Sequence, residues 1–123
     1  MKFWKYHGLG NDFVLFESVH KDVEIDIERC KLVCNRHYGI GADGVIFLLP
    51  GNRTDVSMRI INADGSEAEM CGNGIRCVAK HVYDFGIVDK EEVTVSTLAG
   101  IKTTRVFLDA GTVTTVMVDM GAA

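Results

Sequence analysis

An α+β fold is predicted for this chain of 123 residues by three features of its sequence. Short runs of aromatic and β-branched residues occur near both ends, a helical pattern of apolar residues lies between them, and glycine-rich turns separate the segments. Apolar residues make up 47% of the chain and charged residues 24%, which is an ordinary globular composition. Because a chain of this length forms one domain with a sizeable core, residues 1–123 are predicted to be a single domain.

The first half of the chain alternates predicted strands with turns and one helix. Strands are predicted over residues 2–6, 13–16, 45–49 and 56–61. The first two are expected to form a hairpin, and the uninterrupted apolar run 45–49 indicates a strand buried on both faces. Between the predicted strands 13–16 and 45–49, Asp26 is predicted to be a helix N-cap, because its carboxylate can accept a free backbone N–H. Gly39 is predicted to end that helix with a positive φ.

The second half contains the strongest helical pattern and three further strands. Apolar side chains recur at helical spacing at Ile75, Val78, Ala79, Val82 and Tyr83. This pattern predicts a helix over residues 75–85 that ends at Gly86. Residues 93–120 are rich in Val, Thr and Ile, and turns at Gly100 and Gly111 divide them into three predicted strands.

Charge and hydropathy exclude several classes of function. Thirteen basic and 17 acidic residues give a net charge of −4, so no basic surplus indicates binding to nucleic acid. The longest apolar run, residues 45–49, is too short to cross a bilayer, and no apolar leader begins the chain. Four cysteines are too few for a disulfide scaffold and indicate a reducing compartment, so a cytoplasmic location is expected. No catalytic pattern surrounds His7, His20 or His81, which are expected at the surface or packed in the interior.

Cys71 is the strongest candidate for a reactive residue, because it precedes the predicted helix in a glycine-rich loop. The first N–H groups of a helix lack intrahelical partners and carry partial positive charge, so a thiolate is favoured there. Gly72 and Gly74 let the backbone approach a ligand closely, and their N–H groups with that of Asn73 can hold a carboxylate. With Asn62 as a further donor and acceptor, the pattern indicates a thiol base beside a small amino acid. A tight turn with a buried cysteine is the structural alternative.

Three blocks of the sequence resemble the diaminopimelate epimerase family. They are residues 7–13 (HGLGNDF), 36–44 (RHYGIGADG) and 62–77 (NADGSEAEMCGNGIRC), and they occur in the expected order. The resemblance covers nearly the whole chain. It implies two similar halves, each a curved, barrel-like, mixed or antiparallel sheet wrapped around a central helix, which residues 75–85 match here.

The resemblance also implies an activity and its residues. The family interconverts LL- and meso-diaminopimelate, in lysine biosynthesis, without pyridoxal phosphate, metal or other cofactor. One cysteine removes the α-proton as a thiolate, and a second delivers a proton to the opposite face. Cys71 matches one of these two cysteines. The family's substrate-contacting positions correspond to Asn11, Asn62, Gly72 and Asn73.

The length of the chain is where it departs from the family. It matches the N-terminal half alone, and the second catalytic cysteine belongs to the C-terminal half. Cys77 is expected to pack in the interior instead. The expected partners are therefore the diaminopimelate substrate and either the missing half or a second chain. Because inversion needs a proton donor on the face opposite the base, the isolated chain is expected to have little or no activity.

Three alternatives remain open from the sequence. Related cysteine racemases act on proline or hydroxyproline, but in them a His often follows the Cys-Gly pair where Asn73 stands here. A zinc site is conceivable if Cys30, Cys34 and His37 lie on one helix face with a further cysteine. A non-catalytic association module would fit the slightly positive mean hydropathy of +0.13.

Overall fold

The computed structural model describes residues 2–7, 10–21, 23–69 and 71–119. Within these ranges the elements follow one another as β1 (Lys2–His7), β2 (Asp12–Glu17), α1 (Ile27–Cys34), β3 (Gly44–Pro50), β4 (Val56–Asn62), β5 (Glu67–Ala68), α2 (Gly72–Asp84), β6 (Glu92–Thr97), β7 (Gly100–Asp109) and β8 (Thr112–Asp119). The predicted strands are all present, and the short β5 is an addition that the sequence did not indicate. None of the helices in the described ranges is long and apolar enough to cross a membrane.

All eight strands belong to one mixed sheet of order β1-β2-β3-β4-β6-β7-β8, with β5 paired to β4. The predicted hairpin is confirmed, since β1 and β2 pair antiparallel with Tyr6 opposite Phe13. Two pairs of adjacent strands, β2–β3 and β4–β6, are parallel. The other pairs of adjacent strands are antiparallel. The sheet curls so that β4, β7 and β8 all contact α2. The structure therefore confirms the curved sheet around a central helix.

Helix α2 lies inside the curl, which explains the regular spacing of its apolar residues. Ile75, Val78 and Val82 pack with side chains of β2, β3, β4 and β6. Ala79 instead contacts Val106 and Val113, from β7 and β8. The helix begins at Gly72, three residues before the predicted start, and Gly86 with a φ of 64° follows its end as predicted. Strands on several sides thus hold the helix in place.

Strand β3 is buried on both faces, as its uninterrupted apolar run predicted. One face contributes Ile46 and Leu48 to the interior that surrounds α2. The other face contributes Phe47, which packs with Cys30 and Cys34 of α1. The predicted N-cap of α1 is also confirmed, because the Asp26 side chain accepts from the backbone N–H three residues later.

The end of α1 differs from the prediction. The helix ends at Cys34 rather than at Gly39. The Asn35 side chain accepts two backbone N–H groups of the following turn, at 2.8 and 3.0 Å, and thereby supplies an alternative to further helix. Gly39 does not have a positive φ, whereas Gly41 does, at 83°. Gly39 is needed for space, since a Cβ there would lie 2.0 Å from the carbonyl oxygen of Leu32.

Candidate active site

The start of α2 places Cys71 where the sequence predicted a base. Cys71 is the N-cap residue, with extended backbone angles of −139° and 117°. Its carbonyl accepts the first bond of the helix from Ile75 at 2.9 Å, while its thiol makes no capping hydrogen bond. The thiol is free and half-buried, and it packs against the interior beneath α2. The backbone N–H groups of residues 72–74 precede the first intrahelical bond and carry the positive end of the helix dipole.

The two glycines that follow Cys71 have different roles. Gly72 is exposed, and a Cβ built there would meet no atom within 4 Å. Gly74 is buried, and a Cβ there would lie 2.7 Å from Cδ1 of Ile60 in β4. The missing side chain of Gly74 therefore lets the helix approach the sheet, and its backbone N–H lies in the first turn with those of residues 72 and 73. At Gly72 the space where a side chain would stand is open.

Two of the predicted substrate contacts meet at this helix start. Nδ2 of Asn73, in the first turn of α2, donates to Oδ1 of Asn11 at 2.8 Å. Asn62 lies at the end of β4, where its side-chain amide donates to Oγ of Ser66 at 3.1 Å. That bond closes a turn in which Gly65 has a φ of 90°. The structure thus joins Asn11 to Asn73 and holds Asn62 within its own turn.

Charged side chains border Asn11. Nδ1 of His7 lies 2.7 Å from Oδ1 of Asp12, and Nη1 of Arg36 lies 3.7 Å from Oδ2 of the same carboxylate. The hydrogen bond from His7 lowers the pKa of Asp12, and the positive charges of His7 and Arg36 act in the same direction. Asp12 is therefore ionised at neutral pH and suits a positioning role better than that of an acid.

The other three cysteines are poor thiolates at neutral pH. Burial raises the pKa of Cys77 to about 11, and repulsion from the nearby Cys71 adds to this. Burial likewise raises the pKa of Cys30 and of Cys34, which lie on the buried face of α1. Cys77 also contacts the interior beneath α2, which agrees with the packing role expected for it.

The arrangement required for the zinc alternative is absent. Because α1 ends at Cys34, His37 lies in the following turn and not on a helix face with Cys30. Cys30 and Cys34 are buried, whereas His37 is exposed. In the parts of the chain that the structure describes, no three His, Cys, Asp or Glu side chains are grouped as metal ligands.

A groove of about 530 Å³ runs between β1, α2 and β8. Its lining includes the basic residues Lys5, Arg76 and Lys80, together with Asn73 and Cys77. The thiol of Cys71 does not line this groove. Asn73 is thus the residue that connects the groove to the helix start.

A buried polar chain near the other end of α2 was not predicted. His81 is completely buried, with Nε2 2.8 Å from a carboxylate oxygen of Glu17 and Nδ1 within hydrogen-bond distance of the Tyr6 hydroxyl. Because an ionised carboxylate only accepts, Nε2 carries the proton and Nδ1 accepts from Tyr6. Burial lowers the pKa of His81 and raises the pKa of Tyr6 to about 12. Glu17 lies 64 positions and Tyr6 75 positions from His81 in the sequence, so no local pattern connects the three residues.

Curated relatives resemble this chain along almost its whole length. A protein named diaminopimelate epimerase from Moorella thermoacetica is 53% identical over 123 residues, which cover 99% of this chain and 44% of the relative. One of the same name from Methanococcus maripaludis strain S2 is 50% identical over 121 residues, covering 98% of this chain and 44% of the relative. This chain therefore spans less than half the length of these relatives.

Solved structures share the fold at much lower identity. A hydroxyproline epimerase from Agrobacterium vitis matches with a TM-score of 0.72 and 16% identity, over 94% of this chain and 40% of that one. A phenazine biosynthesis protein of the PhzF family from Bacillus anthracis matches with a TM-score of 0.65 and 18% identity. The match covers 88% of this chain and 35% of that protein. These similarities establish the architecture alone. The family is shown by sequence, since the diaminopimelate epimerase profile matches residues 3–123. The chain therefore belongs to the diaminopimelate epimerase family.

Proposed function

We propose that this chain forms one half of the active site of a diaminopimelate epimerase, an isomerase of lysine biosynthesis. The observation that carries the proposal is the free, half-buried thiol of Cys71 at the N-cap of α2, beside the open space at Gly72. The chain spans 44% of the relatives named for this activity. The rest of the site is proposed to come from a C-terminal half or from a second chain.

Cys71 is proposed to exchange the α-proton on one face of the substrate. As a thiolate it takes the proton from the α-carbon and becomes a thiol, while the electron pair of the broken C–H bond passes into the carboxylate. The backbone N–H groups of residues 72–74 point along the helix axis and would stabilise that negative charge. A second thiol then gives its proton to the opposite face and becomes a thiolate, so atoms and charge balance.

The proposed substrate contacts are Asn11, Asn62, Gly72 and Asn73. The joined side chains of Asn11 and Asn73 offer amide donors and carbonyl acceptors, which suit the ammonium and carboxylate of an amino acid. No metal or organic cofactor takes part in the proposed reaction, because the electron pair is accommodated by the substrate's own carboxylate.

The second thiol is proposed to lie outside this chain. Burial raises the pKa of Cys30, Cys34 and Cys77, and all three pack against the interior. With one thiol, a proton for the opposite face would have to come from water, which is a much weaker acid than a thiol. The isolated chain is therefore proposed to bind substrate weakly and to have little or no epimerase activity.

The test is covalent labelling with an aziridine analogue of diaminopimelate, followed by peptide mapping. We expect the analogue to label Cys71, and the Cys71→Ser variant to lose the label while Cys77→Ser keeps it. The same chain, incubated with LL-diaminopimelate, should form no meso product above the background of a buffer control. Labelling confined to another cysteine, or fast turnover by the isolated chain, would overturn this proposal.

A further inference from the structure

We infer that Asp43 is a positioning residue whose carboxylate holds the loop of Asn11 beside the start of α2, while its main chain pairs with the turn that carries Asn62. The importance of these asparagines rests on the proposed function, but the positioning itself rests on hydrogen bonds seen in the structure. Asp43 is half-buried, immediately before β3, and it contacts both loops.

The first loop is held through Asp12, which follows Asn11. A carboxylate oxygen of Asp43 accepts from the backbone N–H of Asp12 at 2.7 Å, and the backbone N–H of Asp43 donates to the carbonyl of Asp12 at 2.9 Å. The two bonds run in opposite directions between the same pair of residues, so they fix the peptide that carries Asn11. Asn11 in turn accepts from Asn73 at 2.8 Å, which extends the connection to α2.

The second loop is held through Ala63, which follows Asn62. The carbonyl of Asp43 accepts from the backbone N–H of Ala63 at 3.0 Å. The next residue, Gly44, lies opposite Asn62 in the antiparallel pairing of β3 and β4. Asp43 therefore uses its carboxylate for one asparagine loop and its carbonyl for the other.

Arg36 offsets the repulsion between the two neighbouring carboxylates. Its guanidinium lies 3.4 Å from a carboxylate oxygen of Asp43 and 3.7 Å from one of Asp12. The Arg36 side chain is 55% exposed, so this contribution is screened by solvent. The short, part-buried bond to the backbone N–H of Asp12 is the stronger constraint, because it is charge-assisted.

Asp55 provides a matched control. Its carboxylate also accepts a backbone N–H, that of Thr94 at 2.9 Å, and pairs with Lys90 at 3.0 Å. It precedes the first residue of β4, whereas Asn62 is the last, so the two lie at opposite ends of that strand. The Asp55 carboxylate also accepts from the Thr94 hydroxyl at 3.1 Å, so its removal costs at least as many structural bonds as removal of the Asp43 carboxylate, but only Asp43 is connected to the asparagines.

The experiment follows the side-chain amides of the asparagines by ¹⁵N NMR of the chain. The sequence has five asparagines and no glutamine, so five side-chain amide pairs are expected. We expect Asp43→Ala to shift the pairs of Asn11 and Asn73 strongly and to speed their exchange with solvent. Asp43→Asn should shift them less, because its amide oxygen can still accept. Asp55→Ala and Asp55→Asn should leave both pairs in place.

A titration with meso-diaminopimelate separates this inference from the proposed function. If the unmodified chain binds, Asp43→Ala should weaken binding about tenfold and Asp55→Ala should not, as expected for a lost positioning bond. If the unmodified chain does not bind, the proposed weak binding by the isolated chain is wrong, while the amide shifts still decide the positioning role. Should Asp43→Ala fail to fold, Asp43→Asn against Asp55→Asn gives the same comparison. Amide pairs of Asn11 and Asn73 that respond no more to the Asp43 variants than to the Asp55 variants would overturn the inference.

Discussion

The two ends of α2 differ in how completely their polar groups are satisfied. At its start, Cys71 is half-buried and its thiol makes no capping bond, while Gly72 has open space where a side chain would stand. Toward its end, His81 is completely buried and bonded at both ring nitrogens, to Tyr6 and Glu17. A helix fixed at one end by a closed polar chain can hold a thiol without a capping bond at the other. This division allows reactivity without loss of a defined position.

Removing the closed polar chain is expected to have the largest effect. His81→Ala leaves a cavity and strips Tyr6 and Glu17 of a buried partner, so we expect a loss of about 3–4 kcal/mol in the free energy of unfolding. Urea unfolding followed by tryptophan fluorescence would measure this, because the Trp4 ring lies 4.5 Å from the His81 ring. The exposed His20 is the control, and His20→Ala should change stability by less than about 0.5 kcal/mol. A loss below about 1 kcal/mol for His81→Ala would show that the chain does not anchor the helix.

The next largest effect concerns the two thiols of this helix region. With its pKa raised to about 11, Cys77 has roughly one-thousandth of its thiol ionised at pH 8, whereas an unperturbed thiol has about one quarter. We therefore expect iodoacetamide to modify Cys77 in the folded chain at least about a hundredfold more slowly than in the chain unfolded in urea, and more slowly than Cys71 of the folded chain. Mass spectrometry of timed digests measures both rates.

Two controls make the thiol comparison decisive. In urea all four cysteines should react at similar rates, since burial no longer distinguishes them. The Cys71→Ser variant should lose the fast phase of the folded chain, and Cys77→Ser should keep it. Equal rates for Cys71 and Cys77 in the folded chain would contradict the contrast between an open and a packed thiol.

The two glycines of the first turn should respond in opposite directions to the same substitution. Gly74→Ala forces a Cβ to within 2.7 Å of Ile60 Cδ1, so we expect a destabilisation of about 1–3 kcal/mol. Gly72→Ala meets no neighbouring atom and restricts the unfolded chain, so it should stabilise by up to about 1 kcal/mol. Thermal unfolding of both variants measures the pair. A stabilising Gly74→Ala would mean that the interior beneath α2 has room to spare.

The parts of the fold that follow local rules could be predicted from the sequence. The helical spacing of apolar residues defined α2, and the uninterrupted run of β3 indicated burial on both faces. The end of α1 could not be predicted from Gly39. The Asn35 side chain accepts the backbone N–H groups of His37 and Tyr38, and these bonds compete with a further turn of helix. The parallel pairings β2–β3 and β4–β6 depend on contacts between distant segments, to which periodicity is blind.

The candidate site divides in the same way. Cys71 could be singled out physically, since a cysteine before a helical pattern lies at a helix start. Asn11 was reached only by resemblance, because its bond to Asn73 joins residues 62 positions apart. Asp43 and His81 gave no usable signal, as an aspartate before a strand and a histidine in a helix are ordinary. Their roles arise from partners that the folded sheet brings to them.

The pH dependence of stability should give the smallest effect and tests the closed end of α2 without a cavity. Burial lowers the pKa of His81, so the unfolded chain takes up a proton near pH 6.5 that the folded chain binds only at lower pH. The stabilising contribution is therefore complete above that pH and is lost as the pH falls through the folded pKa. Urea midpoints between about pH 7.5 and 5.5 should fall for the unmodified chain and fall less for His81→Asn, in which no imidazole is protonated. His20→Asn should keep the original slope, because that histidine is exposed. A midpoint that stays level or rises on acidification would mean that Glu17 outweighs burial and that His81 is charged within the fold.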